Sequence, residues 1–302
     1  MPIIHYRAPI KLLLAVRGHP FDRSAFDAMF LAMDGITATM VDQPAAAQLM
    51  NPAEMASYDA LVLYDMPGLD FTAAHDPPSY VAPDPGLVSG FRALLEQGIG
   101  IVAMHHALAG WPAWPEYGDW LGGRFLYHPA EVHSVPCLDS GFAHSVTYQA
   151  EVLAEHPVTD GLPRMFSITD EPYMAEVFTA EVTPLLASQG PFTRDHFWSA
   201  DAAVSGRMNC RDGWDHPPTS NLIGWTKRAL NSPLVYLQPG DGESAYGNPH
   251  YRRLLENAVR WVVSDAPRTR RRCNSMGTAD VRCRCPCVRW TQRATPAPLR
   301  VH

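Results

Sequence analysis

The sequence predicts an α/β domain built on a mainly parallel sheet with helices on both faces. Three observations lead there. Four short apolar runs, Lys11–Val16, Thr37–Val41, Ala60–Tyr64 and Ile99–Met104, have the length and content of buried strands. Segments of helical periodicity lie between them, at Asp22–Met33 and Pro85–Gln97. Strand and helix therefore alternate along the first hundred residues, the pattern of a doubly wound sheet with right-handed crossovers.

Each element has a local reason. Lys11–Val16 is a continuous apolar run ending in Arg17-Gly18-His19-Pro20. In the first helix Phe26, Met29, Phe30 and Met33 recur at three- and four-residue spacing, and Asp22 or Ser24 can cap its start. Thr37–Val41 is rich in β-branched residues. Asn51–Ala56 reads as a short helical piece. Ala60–Tyr64 ends in Asp65-Met66-Pro67-Gly68. Residues 67–86, with five prolines, read as a long functional or covering loop. Pro85–Gln97 stops at Gly98, and Ile99–Met104 ends in His105-His106. Beyond residue 130, His144–Val152, Met165–Thr169, Met174–Phe178, Pro184–Ser188, Leu222–Thr226 and Leu234–Leu237 read as strands, and 190–220 as irregular. Asn248–Ser264 is the clearest helix, with Asn248 as N-cap, Pro249 at the first position and a stripe of Leu254, Leu255, Ala258, Trp261 and Val262.

Composition bounds the rest. The chain has 302 residues, is 46% hydrophobic and carries a net charge of -7. Residues 266–302 hold nine arginines and one acid, Asp280, so this tail is +8 and the body -15. An acidic body argues against nucleic acid as a partner. Residues 1–265 are expected to form a single α/β domain. The Arg/Cys-rich tail, 266–302, reads as disordered or as a frame-shifted coding end. Its Cys273, Cys283, Cys285 and Cys287 lack the two-residue gaps usual in structural zinc sites. The body holds only Cys137 and Cys210, so no disulfide framework is expected. No stretch approaches membrane-spanning length and no signal-peptide layout is visible, so a cytoplasmic location is expected.

Several function classes are disfavoured. There is no G-x-G-x-x-G after the first strand, no G-x-x-x-x-G-K-[ST], and no G-x-S-x-G. RGHPFDRS stands where a flavin phosphate loop would need serines and threonines, and Asp241-Gly242-Glu243 is too acidic to cradle phosphate. No nucleotide or flavin is therefore expected.

Imidazole and carboxylate at strand ends stand out instead. His19 follows the first strand, Asp65 the third, and His105 and His106 the fourth. In a parallel sheet these ends share one edge, where ligands bind. Asp170 and Glu171 join them if the second half packs on that edge. The set suits general acid–base work near neutral pH, or a divalent ion such as zinc held by His105, His106 and Glu171. Taken singly, His19, His128, His144 and His156 read as ordinary hydrogen-bonded side chains. Two adjacent imidazoles at a buried strand end need partners or a ligand. Trp111, Trp114, Tyr117 and Trp120 are either helix packing or, with Tyr173, aromatic faces for a sugar.

GIGIVAMHHALAGWPAWPEYGDWLGGRFLYHP, HPVTDGLPRMFSITDEPYMAEV and SPLVYLQPGDGESAYGNPHYRRLLENAVRWV, in that order, resemble the ThuA-like family named for trehalose utilisation. The resemblance runs from about Lys11 to Ser264. It implies a flavodoxin-like three-layer fold, similar to the class I glutamine amidotransferases. In those enzymes the turn after the corresponding strand carries a cysteine nucleophile. Here it reads Ala103-Met104-His105-His106-Ala107, so glutaminase chemistry is not expected. The resemblance implies carbohydrate metabolism, with trehalose, related disaccharides or their 3-keto forms as substrate.

The expectation is an enzyme of glycoside or keto-sugar metabolism, a hydrolase or lyase. His105, His106, Asp170 and Glu171 are its catalytic candidates, and His19, Trp111, Trp114, Tyr117 and Tyr173 its substrate-binding candidates. The partner is a small-molecule sugar, with self-association left open. The rival is a non-catalytic amidotransferase-like scaffold that binds a sugar or a protein. An enzyme needs the histidines and acids to converge, whereas a scaffold can leave them dispersed.

Overall fold

The computed structural model describes residues 8–71, 78–190 and 192–265. The predicted Arg/Cys tail lies outside the described residues. Nine strands form one sheet: β1 (Ile10–Val16), β2 (Ile36–Asp42), β3 (Ala60–Leu63), β4 (Gly100–Met104), β5 (Val146–Val152), β6 (Met165–Asp170), β7 (Thr183–Gln189), β8 (Leu222–Ala229) and β9 (Ser232–Leu237). Their order across the sheet is β6-β5-β7-β8-β9-β4-β3-β1-β2. From β2 to β9 the neighbours are parallel. The order 2-1-3-4 followed by a fifth parallel strand is the flavodoxin-like one. The remaining four strands extend the sheet by antiparallel pairing.

Alternation of side chains divides the core. Leu12, Leu14 and Val16 of β1 face one layer with α1 (Arg23–Leu31) and the long C-terminal helix Pro249–Val263, while Leu13 and Ala15 face the other with α2 (Pro85–Gln97) and α3 (Pro115–Leu121). Helices thus cover both faces, as buried parallel strands require. Each fully buried Leu or Val, such as Leu254, Leu255 and Val262, contributes roughly 1.5–3 kcal/mol.

Caps set the helix ends. Asp22 accepts from the Ala25 amide, and Asn248 from the His250 and Tyr251 amides. Gly98 closes α2 at φ 87°, a left-handed conformation that a side chain disfavours. The expected helical piece at Asn51–Ala56 is a single tight turn, Glu54–Ser57, preceded by a short helix, Ala45–Leu49, that periodicity did not indicate. Five residues are too few to show a period. Within the predicted loop 67–86, Leu69–Asp70 pairs with Ser79–Tyr80, and residues 72–77 lie outside the described residues.

Candidate functional site

Sheet direction assembles the site. β9 runs parallel to β4, with Leu237 level with Met104, so Gln238 to Asp241 emerge beside His105. Successive antiparallel pairings turn β6 to the same direction, and its end delivers Asp170 and Glu171 to that edge. β5 runs the opposite way, so His144, just before it, starts there. At the end of β4 the chain turns sharply. His105 sits at φ 33°, an uncommon conformation for a residue with a Cβ, and both His105 and His106 are fully buried.

His105 donates from Nδ1 to the Gln238 carbonyl at 2.6 Å, so Nε2 faces Glu171 Oε2 at 3.2 Å and Asp241 Oδ1 at 3.7 Å. His106 Nε2 lies 3.2 Å from Asp241 Oδ1, and its Nδ1 has no partner among the described residues. The proton of neutral His106 therefore sits on Nε2 and is donated to Asp241. The second oxygen of Glu171 meets His144 Nδ1 at 2.9 Å. Half-buried His19 lies beside the pair, its ring 4.3 Å from that of His106, with Nδ1 spent on the Pro20 carbonyl at 3.0 Å. Tyr173 lies under His105 at 4.3 Å between rings, and its backbone is clamped on both sides by the Gln238 amide.

The two imidazoles have opposite electrostatics. Burial works against a charge on His105, but the Glu171 hydrogen bond and the charges of Asp170, Glu171 and Asp241 raise its pKa to about 9. Burial and the neighbouring charge of His105 push His106 down to about 3. Asp241 is partly desolvated, yet His106 and His105 hold it at about 2. Burial lifts Asp170 to about 6. Burial and the Tyr246 hydroxyl, 2.5 Å away, push the Tyr64 phenol upward. Both phenols lie within hydrogen-bonding reach of the Asp241 carbonyl, at 3.0 and 2.9 Å, and share their two protons between it and each other.

His105, His106, Glu171 and Asp241 offer ligand atoms that lie within 4.8 Å of one another, a set that could hold a metal ion. Without a metal, the same groups can take up and return protons.

The predicted site residues are thus partly united. His19, His105, His106, Glu171 and Tyr173 converge. Asp170 lies one residue before Glu171, and its two oxygens accept the Gly240 and Asp241 amides at 2.5 and 3.1 Å, so it positions the Asp241 loop. Trp111, Trp114 and Tyr117 lie apart from the cluster, with Phe91, Trp120 and one another as ring partners. Trp114 and Tyr117 are buried in the α2–α3 layer and present no face to a sugar, while half-buried Trp111 lines a different hollow with Gln43 and Asn51. Asp241 was missed, as was the use of His144. Asp241 carries no local signal beyond following an apolar strand.

The strand order and the sharp turn after β4 define a flavodoxin-like α/β protein with two imidazoles in that turn. The ThuA family model, described as trehalose utilisation, matches residues 18–262, and the chain belongs to this family. Among solved structures, a ThuA-like protein from Parabacteroides merdae is similar at 15% identity and TM-score 0.59, with 85% of this chain and 90% of that one covered. A ThuA-like protein from Bacteroides uniformis is similar at 20% identity and TM-score 0.55, covering 87% and 96%. A glutamine amidotransferase from Thermotoga maritima gives 10% identity and TM-score 0.42 over 86% and 100%. Likeness at such identity speaks to fold alone. No curated protein matches the sequence. Among the described residues, no helix is long and apolar enough to cross a membrane.

Proposed function

We propose that the chain is an enzyme of carbohydrate utilisation that acts on trehalose or a related glycoside, in its 3-keto form, at the His105–His106–Glu171–Asp241 cluster. One observation carries the reading: four proton- or metal-handling side chains from three distant segments converge at the carboxyl edge of a ThuA-family sheet. A non-catalytic scaffold has no need of that convergence. Neither described cysteine joins it. Cys137 bonds to Val135, and Cys210 receives Arg207.

A ketone at C3 acidifies the proton on C2. A base in the cluster takes that proton, the C1–C2 double bond forms, and the C1–O bond breaks. The departing alkoxide takes a proton from an acid of the same cluster. No thiol is required. On this reading the sugar approaches past half-exposed His19.

The test is turnover of 3-keto-trehalose by the purified chain, with His105→Ala and His106→Ala beside it. Product formed by the wild type and lost in both variants supports the reading. Variants as fast as the wild type sink it.

A further inference from the structure

Asp241 Oδ1 is the meeting point of three imidazoles. His106 Nε2 lies 3.2 Å from it, His105 Nε2 3.7 Å and His19 Nδ1 3.9 Å. Only the His106 contact is of hydrogen-bond length, and His19 Nδ1 is already bonded to the Pro20 carbonyl. The spacing fits a different arrangement. Four ligands at about 2.0–2.1 Å around a tetrahedral ion stand about 3.3 Å apart. Three of the separations here are 3.2 Å (His105 Nε2 to Glu171 Oε2), 3.7 Å (His105 Nε2 to Asp241 Oδ1) and 3.2 Å (His106 Nε2 to Asp241 Oδ1), and all four atoms lie within 4.8 Å of one another, so the set would draw in around an arriving ion.

The surroundings are also those of a ligand set. His105 gives its Nδ1–H to a backbone carbonyl, which fixes the ring and aims Nε2 at the cluster, where an arriving ion would displace its proton. Glu171 is steadied through its other oxygen by His144, and the main chain of Asp241 is held by the Asp170 carboxylate and by the Tyr64 and Tyr246 hydroxyls. Each of these outer contacts leaves a ligand atom pointing inward.

We infer that His105, His106, Glu171 and Asp241 form a binding site for one divalent transition-metal ion of the zinc type. The inference deepens the proposed function and rests on the same site. Two imidazoles select this class of ion over magnesium or calcium, which prefer oxygen alone. The four ligands are not equal. Binding through His106 Nε2 moves that ring's proton to Nδ1, which faces no acceptor among the described residues. His106 is therefore the weakest ligand, and Asp241 and His105 the strongest. If His106, the weakest of the four, gave way, the ion would have an open position at which to polarise a sugar carbonyl as a Lewis acid.

Cobalt(II) tests this in the full chain after chelator treatment, because it reports its own ligands. Thiolate ligation gives intense near-ultraviolet charge-transfer bands, and nitrogen–oxygen ligation does not. This separates the cluster from the four cysteines of the tail. One cobalt per chain is expected, without thiolate bands, and zinc should displace it while magnesium does not. Asp241→Ala and His105→Ala should weaken binding more than about 100-fold, and His106→Ala about tenfold. Asp241→Asn, which keeps the shape, guards against a misfolded variant, and it should also weaken binding. Binding with thiolate bands only, or undiminished binding in Asp241→Ala and Asp241→Asn, overturns the inference. A wild type that binds no cobalt but loses sugar turnover in His105→Ala overturns the metal site and leaves the sugar reading intact. A protein that binds cobalt at the cluster but turns over no keto sugar does the reverse.

Discussion

His105 and Gln238 are 133 residues apart in sequence, and the Nδ1–H of the first meets the main-chain carbonyl of the second at 2.6 Å. This bond joins the turn after β4 to the loop after β9, and it decides which nitrogen of His105 faces the carboxylates. The second loop continues through Gly240 to Asp241, so its shape controls the site.

Gly240 tests that control. It sits at φ 129°, and a Cβ there would collide with the Tyr251 hydroxyl. Its amide is also one of the two that Asp170 holds. Gly240→Ala is expected to displace Asp241 and to lower sugar turnover at least tenfold. The accompanying loss of stability should be about 1–3 kcal/mol, from backbone strain. Urea unfolding and turnover on the same preparation check it. A variant with wild-type turnover would show that the loop need not hold this shape.

Asp65 offers a pH test away from the cluster. It is fully buried at the end of β3, one oxygen takes the Gln43 amide at 2.6 Å, and the other has no partner among the described residues. Burial pushes its pKa up to about 6, against the pull of the Gln43 bond. Because the folded value lies above the unfolded 3.8, the proton favours folding. The resulting stability is complete below about pH 4 and lost as pH rises through 6, at a cost of at most about 3 kcal/mol. Asp65→Asn should therefore exceed the wild type in stability at pH 7, and the difference should shrink between pH 6 and 4. Denaturant midpoints across that range check it, and parallel curves for the two proteins would refute it.

Trp114 separates core from binding surface. Its ring packs edge-on to Phe91 and Trp120 and is 4% exposed. Trp114→Phe is expected to cost roughly 1–3 kcal/mol of stability and to leave the KM for the sugar unchanged. A raised KM at unchanged stability would restore the sugar-platform role that the sequence suggested.

These cases show where sequence reading works for this chain. Lys11–Val16, Pro85–Gln97 and the helix after Asn248 are legible because their signals are local: apolar runs, a cap, a proline at the first turn. His105 and His106 are legible because two polar rings directly follow a buried strand. Asp241 is not. It enters the site only because β9 pairs with β4, and nothing between residues 105 and 237 in sequence states that pairing. Asp170 was found for its type and place, but its two backbone bonds depend on the same long-range pairing. For the tryptophans, packing and sugar stacking use the same residue type. Only burial in the α2–α3 layer tells them apart.

The central claim is that the His105 cluster performs the chemistry on a sugar. Single-turnover assay of the wild type and of His105→Ala with 3-keto-trehalose tests it most directly, with circular dichroism confirming that both are folded. Product is expected from the wild type, with a rate at least 100-fold lower from the folded variant. Equal rates from the two proteins would contradict it.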